Sequence, residues 1–123
     1  MEVKELRIGN SIQNLEGETY SVTGLGYDEY GYPTITTDEF ETISQDPSQV
    51  QPVPLTEDRL LKLGFPKHKS RMNLLWDYTI CLERQHGELF LIHKDNIYVY
   101  KLDYVHELQN IYFNLKNTEL VCQ

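Results

Sequence analysis

The sequence predicts an α+β protein, on three observations. Short β-prone runs separated by glycine turns fill the first third of the chain. A capped, leucine-rich stretch near residue 60 reads as a short helix. The end carries apolar residues at helical spacing after a second set of alternating strands. A chain of 123 residues buries roughly two-thirds of its unfolded surface, enough for a core without metals or disulfides.

Leu6 to Tyr32 reads as strands joined by tight turns. Arg7-Ile8-Gly9-Asn10 leads into Ser11-Ile12-Gln13-Asn14, and Glu16-Gly17 marks a reversal. Tyr20, Val22 and Gly24 alternate with Ser21, Thr23 and Leu25, the period of a half-buried strand. Gly26 to Gly31 is a loop, and Tyr32–Thr37 and Phe40–Ser44 are two further β-prone runs. Tight spacing without helical periodicity predicts a small SH3-like β-barrel or a curled sheet. Asp46-Pro47-Ser48 turns the chain, and Pro52 and Pro54 hold Val53 extended. The expected division is an acidic β-rich lobe, residues 1–54, and a second lobe, residues 55–123, together forming one compact unit.

In the second lobe Thr56 is placed to cap a helix, Glu57 and Asp58 suit its positive end, and Gly64 supplies the stop. Lys67-His68-Lys69-Ser70-Arg71 is read as a basic loop. Tyr78, Ile80 and Leu82 share a strand face, Gln85-His86-Gly87 reverses the chain, and Leu89–His93 returns. After a turn at Asp95-Asn96, residues Ile97–Tyr100 complete a three-stranded antiparallel meander. The terminal helix starts at Asp103 as N-cap, carries Val105, Leu108, Tyr112 and Leu115 on one face, and stops at Asn117. Tyr104, Ile111 and Phe113 fall off that face, which points to burial on two sides or to a dimer or partner contact.

Charge is distributed unevenly. Residues 8–58 contain no Lys or Arg but ten carboxylates: Glu16, Glu18, Asp28, Glu29, Asp38, Glu39, Glu41, Asp46, Glu57 and Asp58. Such segregation speaks to partners, because summed surface charge steers encounter and rejects wrong surfaces. Tyr27, Tyr30 and Tyr32 alternate with the acids of one glycine loop, and tyrosine supplies large contact area at low entropic cost. The expected partner-binding residues are therefore Glu16, Glu18, Tyr27, Asp28, Glu29, Tyr30, Tyr32, Asp38, Glu39 and Glu41. The plain alternatives are a solvated acidic surface, and burial of two of the rings in the core.

Other chemistry is weakly supported. His68, His86, His93 and His106 lack zinc-ligand spacing, and Cys81 and Cys122 do not form a pair motif. No nucleophile, base and orienting group stand out, so neither catalysis, a metal nor a cofactor is expected. Direct nucleic-acid binding is disfavoured by the net charge of −8. No apolar run has the length of a membrane span or signal-peptide core, and the thiols are expected to be reduced, all suggesting a cytoplasmic protein.

Three blocks carry a resemblance: Leu6–Asn10 (LRIGN), Pro52–Phe65 (PVPLTEDRLLKLGF) and Val105–Phe113 (VHELQNIYF). In this order they resemble a family of small uncharacterised phage and mobile-element proteins of the Bacteroidota. That resemblance implies a genomic setting and brings no activity, cofactor or site. Together with the charge it suggests a non-enzymatic protein that binds and inhibits a basic nucleic-acid-handling host protein, such as a CRISPR effector or another defence nuclease. The alternative is an adaptor in phage or mobile-element replication or assembly, binding through the terminal helix.

Overall fold

The computed structural model describes residues 3–40, 44–65, 71–74, 80–93, 99–118 and 120. The fold is mixed α+β; the described residues form nine strands in two antiparallel sheets and one main helix. The chain divides into two compact units, residues 1–54 and 55–123.

The first unit is a five-stranded sheet in the order β4-β3-β2-β1-β5. Its strands are β1 (Ser11–Asn14), β2 (Thr19–Tyr27), β3 (Pro33–Thr37), β4 (Ser44–Gln45) and β5 (Val50–Pro52). Leu6, Ile12, Val22, Ile35 and Val50 form its core, with Val3 packed against them. Among the described residues the sheet does not close, so of the two expected forms, an SH3-like barrel or a curled sheet, the closed barrel is corrected. Its edges, β4 and β5, do not pair with each other. One is two residues long and the other carries Pro52, which has no N–H to donate. Of the expected strand at Phe40–Ser44, Phe40 lies in a turn, its N–H donating to the Thr37 carbonyl at 3.3 Å, and Ser44 opens β4; residues 41–43 lie outside the described residues.

Strand β2 departs from strict alternation. Its register with β3 shifts between Val22 and Gly24, so that Val22 faces Thr37 while Leu25 faces Ile35. The extra residue, Thr23, moves Leu25 and Tyr27 onto the face that Val22 occupies. Gly24 lies opposite Thr36, where a Cβ would meet the Thr36 side chain in ordinary van der Waals contact at 3.4 Å.

The second unit begins with α1 (Glu57–Lys62), capped by Thr56, whose Oγ1 accepts the Arg59 N–H at 3.3 Å. Gly64, at φ +96°, ends it in the left-handed conformation. A meander follows in the order β6 (Arg71–Asn73), β7 (Ile80–Gln85), β8 (Glu88–His93), β9 (Val99–Leu102). Among the described residues it has four strands where three were expected. Arg71, read as the end of a basic loop, instead opens β6 and pairs with Glu83. That loop's Lys67–Ser70, Tyr78, the Asp95-Asn96 turn, Ile97, Tyr98 and Cys122 lie outside the described residues. His86 and Gly87, both at positive φ, make the two-residue turn between β7 and β8.

Helix α2 (Val105–Lys116) is capped at Tyr104 rather than Asp103. The reason is Glu107, whose Oε1 accepts the N–H groups of both Asp103 (3.0 Å) and Tyr104 (2.9 Å). Val105, His106, Leu108 and Gln109 form its buried side, whereas Tyr112 and Leu115 are only half-buried. Gln109 donates to the Leu120 carbonyl at 2.9 Å, and His106 stacks on Tyr104 with ring centroids 5.8 Å apart. Asn117 stops the helix in the left-handed conformation.

Candidate functional site

The expected binding residues gather at the two ends of the β2–β3 hairpin. At its tip, Tyr27, Tyr30 and Tyr32 are 77%, 78% and 66% exposed, the most exposed large apolar or aromatic side chains among the described residues. Neither the core nor a strand face absorbs these rings. Asp28 builds the turn that presents them. Its Oδ1 accepts the N–H groups of Tyr30 and Tyr32, each at 2.9 Å, and its own N–H donates to the Tyr32 carbonyl at 2.9 Å. Gly31, at φ +85°, supplies the left-handed residue this closure requires. Glu29 is exposed on the same turn.

At the other end, Asn14 gathers Glu16, Glu18 and Glu39. Its Oδ1 accepts the N–H groups of Glu16 (3.0 Å) and Glu18 (2.9 Å). Its Nδ2 donates to Glu18 Oε1 (3.1 Å) and Glu39 Oε2 (2.9 Å). Asp38 is held by the Ser21 N–H, which donates to its Oδ1 at 2.8 Å. Partial burial, then the negative charges of Glu18 and Glu39 and a hydrogen bond to Glu39, push the Tyr20 phenol above its ordinary value. Exposed Leu15 and Phe40 border a shallow cavity of about 380 Å³ there, together with Glu16, Glu18 and Glu39.

The acids thus form two groups rather than one continuous cluster. Four to five residue steps separate the Tyr27–Pro33 pair from the Val22–Thr37 pair, a span of about 15 Å. Glu41 lies outside the described residues. Asn14, Tyr20, Leu15 and Phe40 were missed in the sequence. An asparagine two residues before Glu16 and four before Glu18 was the readable signal, because its side chain commonly accepts backbone N–H groups in a following turn.

In the second unit seven of the described charged residues form ion pairs. Arg71 bridges Glu83 (2.7 Å), Arg84 bridges Glu57 (3.0 Å), and Lys101 bridges Glu88 (3.2 Å) and Asp103 (3.6 Å). Cys81 is a free, buried thiol whose pKa burial pushes up, the reverse of what a reactive thiolate needs. Among the described residues no group of three or more His, Cys, Asp or Glu could hold a metal ion. No described helix is long and apolar enough to cross a membrane. No protein-family model, curated protein or solved structure gives a significant match to this chain.

Proposed function

We propose that the N-terminal unit is a docking module for a basic, nucleic-acid-handling protein, and that its action is occlusion without catalysis. The observation that carries the reading is the hairpin tip, where three exposed tyrosines stand beside Asp28 and Glu29 in a stretch free of Lys and Arg. Proteins that grip DNA or RNA present Lys and Arg to a backbone charged every ~1.7 Å of duplex axis. Carboxylates at both ends of a hairpin offer such a groove two anionic contacts, and the tyrosines offer desolvating anchors. In a phage or mobile-element setting, in the cytoplasm of a bacterial host, this is a counter-defence role of the anti-CRISPR kind. The terminal helix is a weaker docking element, since Val105 and Leu108 are spent on its own unit's core.

The test uses one acid from each group that holds no turn together. Glu16→Lys with Glu29→Lys is expected to weaken capture of nucleic-acid-handling proteins from nuclease-treated host lysate by about 10- to 100-fold. It should also flatten the salt dependence of binding, and added DNA should compete with the native protein. Affinity at low salt that ignores the double reversal would refute the mechanism.

A further inference from the structure

Resting on that docking reading, we propose that the hairpin tip selects arginine over lysine on its partner. Three exposed tyrosines and the acids Asp28 and Glu29 belong to one six-residue segment, Tyr27–Tyr32, tied by the Asp28 N–H bond to the Tyr32 carbonyl. A guanidinium is planar and weakly hydrated. It stacks on an aromatic face while its edge donates in parallel to a carboxylate. A lysine ammonium is compact and strongly hydrated, and it gains the charge attraction without the stacking. The tip is ready for this geometry. Both turn-closing bonds fall on one oxygen of Asp28, Oδ1, so neither occupies Oδ2, and Glu29 extends the anionic edge.

A largely apolar groove adjoins the tip. A cavity of about 590 Å³ beside Tyr27 is lined by Leu6, Leu25, Pro33 and Pro47, but also by Lys4. The apolar groove suits the aliphatic stem or neighbouring residues of the partner.

The experiment titrates the full chain with labelled oligo-arginine and oligo-lysine peptides of equal length, at low and moderate salt. The arginine peptide is expected to bind about five- to tenfold more tightly. Replacing Tyr27, Tyr30 and Tyr32 together by Leu should equalise the two peptides, and replacing them by Phe should keep the preference. Circular dichroism of both triple variants checks that the fold is retained. Equal binding by the native chain, or a preference that survives the leucine triple, overturns the proposal. If the peptides bind equally and Glu16→Lys with Glu29→Lys weakens both, docking by charge stands and arginine selection falls. If neither peptide binds, both fall.

Discussion

The two units use charge in opposite ways. Residues 1–54 hold ten acids against Lys4 and Arg7, while residues 55–123 hold nine acids and nine Lys or Arg, so the first unit accounts for the whole net charge of −8. In the second unit carboxylates meet guanidinium and ammonium groups at 2.7–3.6 Å. In the first, Asp28, Asp38 and Asp46 accept backbone N–H groups, and Glu18 and Glu39 accept from the Asn14 amide. The difference teaches how an acid can build structure and still act outward. A neutral donor orients a carboxylate without cancelling its charge, so the field survives for a partner.

Breaking either core is the largest perturbation. Ile12→Ala in the first unit and Leu108→Ala in the second each remove a fully buried side chain. Each should cost about 2–5 kcal/mol in chemical denaturation. A loss well below that range at either site would mean its core is less tightly packed than described.

Next comes the neutral donor itself. Asn14→Ala removes the oxygen that accepts two backbone N–H groups and the amide nitrogen that donates to two carboxylates at one end of the hairpin. It should destabilise the first unit by about 1–3 kcal/mol, read by denaturation and by faster amide exchange at Glu16 and Glu18. Unchanged exchange there would show that Asn14 does not organise the acids.

Smaller effects separate the two uses of charge by pH. The Tyr20 phenol titrates above its ordinary value of 10.0, through partial burial first and then Glu18 and Glu39. A raised folded-state value means that its contribution is intact below pH 10.0 and is lost as pH rises through the folded value. Glu39→Gln should move the phenolate absorbance transition back toward 10.0. A transition that stays put would remove Glu39 from the account.

The smallest expected effect is Arg71→Ala on an exposed pair. Hydrogen bonds from Arg71 and then Gln85 hold the Glu83 carboxyl below its ordinary 4.5. The stability this provides is present above pH 4.5 and is lost as pH falls through the folded value. Arg71→Ala should leave neutral-pH melting almost unchanged while the Glu83 carboxyl resonance titrates at higher pH. A clear loss at neutral pH would make the second unit's pairs more than surface charge matching.

Local chemistry was legible in the residues that carry it. Thr56 and Gly64 bracket α1, Gly17 and Gly87 sit at positive φ in turns, and Asn117 stops α2, each from a preference settled within a few residues. Cap competition was harder to read: Asp103 and Tyr104 both precede α2, Glu107 accepts the N–H groups of both, and the helix starts so that Tyr104 is the cap with Glu107 three residues on. The extra residue at Thr23 was invisible, because it depends on which β3 residue lies opposite. For the candidate site the tyrosines and acids were legible as a list. Their arrangement in two groups was not, because pairing of β2 with β3 sets the distance between Asp28 and Asp38.

By itself the sequence determined the mixed α+β class, the turns and caps, and the segregation of negative charge, since each follows from short-range preference or simple composition. Only the tertiary structure decided that the first sheet stays open, that Arg71 begins a fourth strand of the meander, and that Tyr27, Tyr30 and Tyr32 face solvent. Those outcomes depend on strand partners and burial against residues distant in sequence, and no local pattern encodes which distant residue arrives.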